Sequence, residues 1–249
     1  MTRHTISAAL GLLIACTAAV LNGCSTVNNA SNLEPASTQN LTFYPGLVKG
    51  FEHTYPARRI MVLAVTDACA NAADPPQDGG AGQQIGITLD ARGQSIQRLF
   101  TTDLSGTVQK AIEQAAQEAG MVASLSTAVQ YRPQPMDVDY VLQSRIVKCW
   151  VKKQRVMDND RNPNWQTVAE FGLDATIYKP PFSVPFWQGV STQTYSDPPD
   201  NPGLMPEDET SIYDEPGEVL SVAFTRAVEG LFKRGDLHSL ITQDPAVRH

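Results

Sequence analysis

The chain has 249 residues, a formal net charge of −7 and ordinary apolar content, 42%, enough for a folded core. An acidic surface repels phosphate backbones, and no basic run opposes it, so nucleic acid is excluded as a partner. One domain plus a tail is the expected organisation at this length.

Met1-Thr2-Arg3-His4 is a short basic start. Ile6 to Leu21 carries no charge, and the run ends at Leu21-Asn22-Gly23-Cys24. This reads as a cleavable signal peptide over residues 1–23. It is too short and too interrupted by Thr17, Asn22 and Gly23 for a retained membrane helix. The Leu21–Cys24 stretch resembles a lipobox, which implies a diacylglycerol on the Cys24 thiol. Two acyl chains anchor stably, so no second membrane segment is needed. Ser25 follows the anchor where enteric-type sorting reads Asp as inner-membrane retention. It therefore implies the outer membrane, with the domain facing the periplasm. Residues 24–50 are rich in Asn, Ser, Thr and Ala without period and read as a flexible tether. Residues 51–249 read as one α+β domain.

Arg59 to Val65 is an apolar, β-prone run suited to a central strand. Asp74 to Gly82 is a loop. Leu99, Phe100, Leu104, Val108, Ala111, Ile112, Ala115 and Ala119 recur at helical steps, with Gly120 as the terminating cap. Met121–Leu125 is a short strand and Tyr140–Val151 a long one. Phe171, Leu173, Ala175 and Ile177 alternate with polar residues, as in a half-buried antiparallel strand. Phe186–Tyr195 makes a third strand of this meander. Ser196–Glu218 holds eight acids and no Lys or Arg, so it reads as a solvated loop. Val219, Leu220, Ala223, Phe224, Ala227, Val228, Leu231 and Phe232 form a helical stripe, and Leu237, Leu240 and Ile241 a terminal turn. The expected fold is a mixed, mostly antiparallel sheet of four to five strands, in the order β-α-β-β-β-β-α, with two helices on one face.

These elements resemble the YajG-like family of bacterial lipoproteins. The resemblance rests on the lipobox, the strand Ile60–Val65, the helix ending at Ala119-Gly120 and the opening Asp139-Tyr140-Val141-Leu142. It continues in the helix Val219–Phe232 and the tail Asp236-Leu237-His238-Ser239-Leu240-Ile241, covering most of residues 58–242. The segments 67–90 and 196–218 are longer than such a family leads one to expect. The wider relatives include auxiliary lipoproteins of ABC-type transport systems, which implies a role in moving apolar molecules between envelope membranes.

No motif carries chemistry. Gly80-Ala81-Gly82-Gln83-Gln84-Ile85-Gly86 has one residue too many for a dinucleotide turn and reads as a flexible loop. Asp158-Asn159-Asp160-Arg161-Asn162 lacks the Gly and Glu of a calcium loop and reads as a hairpin tip. His53, His238 and His249 sit in no nucleophile or zinc pattern. No cofactor is expected. Cys69 and Cys149 leave two readings open, one disulfide or two buried thiols. Tyr178–Trp187 joins two strands with three prolines and four aromatics, and Phe182, Phe186 and Trp187 are candidate contacts for an envelope partner or lipid. The alternative is that these rings fold back over the domain. The expected function is a lipid-anchored, non-enzymatic interaction module of the envelope. An ABC-type transport accessory is the first alternative and an envelope hydrolase the second.

Overall fold

The computed structural model describes residues 34–50, 52, 54–69, 82–157, 163–197 and 215–245. Cys24, the signal segment, His53, His249, the 158–162 tip and most of the acidic loop lie outside them.

Three long antiparallel strands form the body: β7 (Tyr140–Met157), β8 (Pro163–Tyr178) and β9 (Pro185–Asp197). One edge of β7 pairs with β8 along its length. The other edge receives three parallel partners in turn: β2 (Arg59–Val62), β3 (Thr66–Asp67) and β4 (Gln83–Leu89). Beyond β2 lies β6 (Val122–Leu125). Beyond β4 lie β5 (Ser95–Thr101) and β1 (Ser37–Thr38). The helices are α1 (Leu104–Glu118), α2 (Pro216–Phe232) and α3 (Gly235–Gln243).

Side chains alternate across a strand. Tyr140, Leu142 and Ile146 of β7 therefore share the helix-covered face, with Phe171, Leu173 and Ile177 of β8. A bulge between Ile146 and Lys148 shifts the register by one residue, so that Cys149 and Val151 also face the core. The opposite face is polar along the meander, with Arg145–Asp174 and Lys148–Glu170 pairs at 2.6 and 2.7 Å. Val108 and Ile112 of α1 and Val219–Phe232 of α2 join one apolar cluster against the sheet.

The α+β class, the mixed sheet and the helices on one face agree with the sequence reading. The strand count does not: the described residues form a sheet of nine strands. Leu99 and Phe100 belong to β5 rather than to the first helix. The Gln83–Gly86 stretch, expected to be loop, opens β4. The two strands form a hairpin whose turn is held by Asp90, its Oδ1 accepting from the Arg92 and Gln94 amides, both at 2.8 Å. Gly86 is required there, because a Cβ would sit 2.0 Å from the Val151 carbonyl oxygen. The helix begins instead at Asp103, whose carboxylate accepts from the Gly106 amide at 3.2 Å, a side-chain N-cap.

A second correction concerns the tether. Residues 34–50 are not free chain: Ser37–Thr38 pair with β5, and the stretch from Gln39 to Lys49 is an arm laid along α2. The Gly217 amide donates to Gln39 Oε1 at 3.0 Å. Thr42 donates to Ser221 Oγ at 2.9 Å and Tyr44 to Thr225 Oγ1 at 3.0 Å. Gly46 and Val48 donate to the two oxygens of Glu229, and Lys233 Nζ donates to the Lys49 carbonyl at 2.8 Å. The helix partners recur every fourth residue, about 6 Å apart. Alternate residues of an extended chain are about 6.6 Å apart, so the two ladders match. Leu41, Phe43, Tyr44 and Leu47 pack on the core beneath. Burial pushes the Glu229 carboxyl above its ordinary range, against the opposing pull of the Val48 and Gly46 amides.

Glu229→Gln replaces one acceptor oxygen with a donor facing a backbone amide. It is expected to cost about 1–3 kcal/mol, read by urea unfolding. Hydrogen exchange at Thr42, Tyr44, Gly46 and Val48 in the native chain is expected to be slow, and to quicken in this variant. Free exchange at all four in the native chain would restore the tether reading.

Candidate docking groove

After β6 the chain runs as Ser126–Asp139 across the face of the sheet that no helix covers. Ala64 donates to the Ala128 carbonyl at 2.9 Å, Tyr131 to Gln143 Oε1 at 3.0 Å and Asp139 to the Arg59 carbonyl at 2.9 Å. These bonds hold the segment over β2 and β7. Leu63, Tyr131 and Val141 are buried beneath it, with Met61, Met136, Val138 and Tyr178 around them. Tyr131 stacks on Tyr178 at 4.5 Å between centroids. Beside them lies a groove of about 500 Å³, with Met61, Leu63, Tyr131, Met136 and Val141 in its lining. The volume is that of a small-ligand or side-chain pocket. The Tyr131 hydroxyl is buried and has no hydrogen-bond partner among the described residues. Arg132, at the rim, is exposed and has no ion pair among the described residues.

The groove opens beside the edge strand β6. Val122, Leu125 and Val129 are exposed large apolar residues, and Met121 to Gln130 carries no charge. The sequence reading took Met121–Leu125 as a strand but did not single out this segment. Its signal was there, in ten residues without charge or proline, which is unusual for a sheet edge.

For two of its three rings the aromatic segment follows the folded-back alternative. Only Phe182 is exposed, at 62%, together with Val184 at 72%. Phe186 is half-buried against Tyr140, 5.3 Å between centroids. Trp187 is 5% exposed; its indole N–H donates to Asp236 at 3.1 Å and Arg234 lies over its ring. The cause is strand alternation: Trp187 shares the inward side of β9 with Ser191 and Tyr195. Hydrogen bonds from Arg234 and Trp187 hold the Asp236 carboxyl well below the usual carboxylate range.

Cys69 and Cys149 are both buried free thiols, so the bonded alternative is not the one found. Burial pushes Cys69 up to about 12, with Asp67 adding to the rise, and raises Cys149 strongly. His238 is the described histidine, and its Nε2 lies 3.0 Å from the Thr54 carbonyl oxygen. Tyr140 and Lys179 both donate to the Asp244 carboxylate, at 2.6 Å and 2.5 Å. That cluster pins the end of α3 to the β8–β9 hairpin. Among the described residues no group of three His, Cys, Asp or Glu side chains is placed to hold a metal. Nor is any helix there long and apolar enough to cross a membrane.

No family model matches the chain, and no curated protein matches its sequence. Solved structures do. A Xanthomonas campestris protein of the DUF330 family aligns over 83% of this chain and 95% of its own, at 10% identity and a TM-score of 0.43. A hypothetical protein of Chlamydia trachomatis aligns over 76% and 99%, at 8% identity and 0.40. The lipoprotein GNA1162 of Neisseria meningitidis aligns over 59% and 89%, at 15% identity and 0.25. Scores below 0.5 at such identities leave the family of the chain open, and the YajG-like assignment remains a resemblance.

Phe182→Ser is expected to change stability by less than about 0.5 kcal/mol, whereas Trp187→Ala should cost about 3–5 kcal/mol. Urea unfolding of the two variants measures both, and equal losses would contradict the arrangement of β9. Iodoacetamide at pH 8 is expected to leave Cys69 and Cys149 unmodified in the native chain and to alkylate both in urea, as read by mass spectrometry.

Proposed function

We propose that the chain is a lipoprotein anchored through Cys24 in the outer membrane, facing the periplasm, and that it works there as a non-enzymatic interaction module. The observation that carries this reading is the polarity of the domain. The arm enters at Glu34, whose amide donates to the Ile96 carbonyl at 2.7 Å. Glu34 lies near Lys153 and Trp165, with which it lines a shallow pocket. The groove and the Phe182–Val184 tip lie at the other end of β7, where Val141 pairs with Tyr178. From Val141 to Lys153 the strand spans about 40 Å at about 3.3 Å per residue. An anchor on Cys24 thus holds one end of the domain, and the apolar contact surface is carried at the other.

The groove also supports the narrower reading of an auxiliary subunit in an ABC-type lipid transport system, since an apolar lining suits a lipid as well as a protein side chain. The carboxylates with displaced protonation, Glu229, Asp236 and Asp244, are committed to structural bonds, so the hydrolase reading has the least support.

Labelling with a radioactive fatty acid is expected to mark the native chain and not Cys24→Ser; equal labelling removes the anchor. Photoreactive residues placed at Ala91, near the anchored end, and at Val129, beside the groove, test the polarity. Lipid adducts at Ala91 and protein adducts at Val129 are expected. Adducts with a transport subunit at Val129 would select the narrower reading. Lipid adducts alone at both positions would overturn the interaction module.

A further inference from the structure

The sheet has two exposed edges of consequence, and they are treated differently. The β9 edge is guarded: Arg234 Nη1 donates to the Val190 carbonyl at 3.2 Å, Arg226 lies over the Tyr195 ring, and Pro185 opens the strand. Charge and proline are ordinary protections of a sheet edge. The β6 edge has neither.

The pairing of β6 fixes which of its backbone groups are open. Val122 donates to the Arg58 carbonyl at 2.8 Å and Ser126 to the Val62 carbonyl at 2.9 Å. In a parallel ladder alternate residues turn both backbone groups to the same side. Ala123 and Leu125 therefore turn their N–H and C=O away from β2, and no described strand pairs with β6 on that side. The strand end is held rigidly, because Gln109 Nε2 of α1 donates to both the Val62 and Ser126 carbonyls, at 3.1 and 2.8 Å. Side chains beside the open edge are apolar, Val122 being 57% and Leu125 42% exposed. Val122 shares the helix-free face with Ser124, which pairs with Met61 of the groove, whereas Leu125 pairs with Val62 and shares the helix-covered face. Arg132 stands at the rim of the groove with no counter-charge among the described residues.

We infer that this edge binds an extended segment of another envelope protein as an added strand. The segment has apolar side chains on alternate residues, which enter the groove from one face. It also carries a carboxylate, which pairs with Arg132. Main-chain bonds to Ala123 and Leu125 supply affinity, and the groove and Arg132 supply selection. The lone cation in an otherwise uncharged site argues for an acidic partner segment over a second copy of β6, which has no acid to offer. The inference rests on the interaction-module reading and specifies its contact.

The test uses the full processed chain in detergent. The probe is a fluorescent nine-residue peptide of alternating valine and threonine with one glutamate near its end. Saturable binding is expected. Ala123→Pro removes an amide that β2 does not use, and proline is tolerated at such an edge position. It is expected to weaken binding at least tenfold with little change in the unfolding midpoint. Arg132→Glu should weaken it severalfold, with recovery when lysine replaces glutamate in the peptide. A peptide N-methylated along one edge tests the same bonds on the native chain, and should bind at least tenfold more weakly whatever Ala123→Pro does to folding. Absence of saturable binding overturns the inference, as does equal binding of the methylated peptide. Self-association of the chain that the peptide does not displace would assign the edge to a second copy and also overturn it. A protein adduct at Val129 that persists in Ala123→Pro would sink strand addition while leaving the interaction module standing.

Discussion

Helix α2 is buried on almost every side, and the arrangement of the domain depends on how its polar stripe is satisfied. Ser221, Thr225 and Glu229 are each no more than 1% exposed. A buried polar group without a partner costs about 1–3 kcal/mol, and an ionised one more. The amides of Thr42, Tyr44, Gly46 and Val48 carry the same penalty once the arm lies on the apolar core. Each set removes the other's cost, so neither is tenable alone. Ser221 is further oriented by donating to the Gly217 carbonyl at 2.6 Å, which leaves its lone pairs to the arm. The arm in turn caps the helix: Glu215 makes no capping bond, and Gln39 takes the Gly217 amide in its place.

The arm also fixes where the chain enters the sheet. It runs from β1, beside β5, along α2 to Tyr55, whose hydroxyl donates to the Phe232 carbonyl at 2.7 Å. From there the chain turns into β2 and pairs with the start of β7. The arm thus spans the domain lengthwise before the first central strand begins. This path separates the entry point at Glu34 from the groove at the Tyr140 end of β7. The bulge in β7 keeps both halves of that strand useful: Leu142 and Ile146 before it and Cys149 and Val151 after it face the same helices. One strand can therefore serve β2 near the groove and β4 near the entry.

What the sequence made legible was whatever repeats at a fixed period over many residues. The alternation of Phe171, Leu173, Ala175 and Ile177 and the stripe from Val219 to Phe232 placed the meander and α2 correctly. Leu99 and Phe100 misled because two adjacent apolar residues fit a strand or a helix equally well, and the Asp90–Gly93 turn that settles the matter was passed over. The arm was missed because its partners are distant: the four-residue spacing of Ser221, Thr225 and Glu229 is visible, but nothing local says that an extended chain lies against it. Composition left Trp187 between two readings, when its parity with Tyr195 already placed it inward. The groove is a product of three segments, around Met61, Tyr131 and Val141, and no one of them announces it.

Docking of the arm changes what an anchor on Cys24 would mean. A chain of 27 residues, the extent of the tether read from composition, spans up to about 90 Å at about 3.3–3.6 Å per residue. With Glu34 held on β5 and the arm from Gln39 to Lys49 held on α2, only the ten residues from Cys24 to Leu33 remain to span, no more than about 35 Å. The rigid distance from entry to groove, about 40 Å, then exceeds the free one. The free tether and the rigid lever together reach about 75 Å at most, so the folded domain, rather than the tether, sets more than half of the reach of the groove. A partner held in the same envelope would meet the groove at the effective concentration that this reach sets.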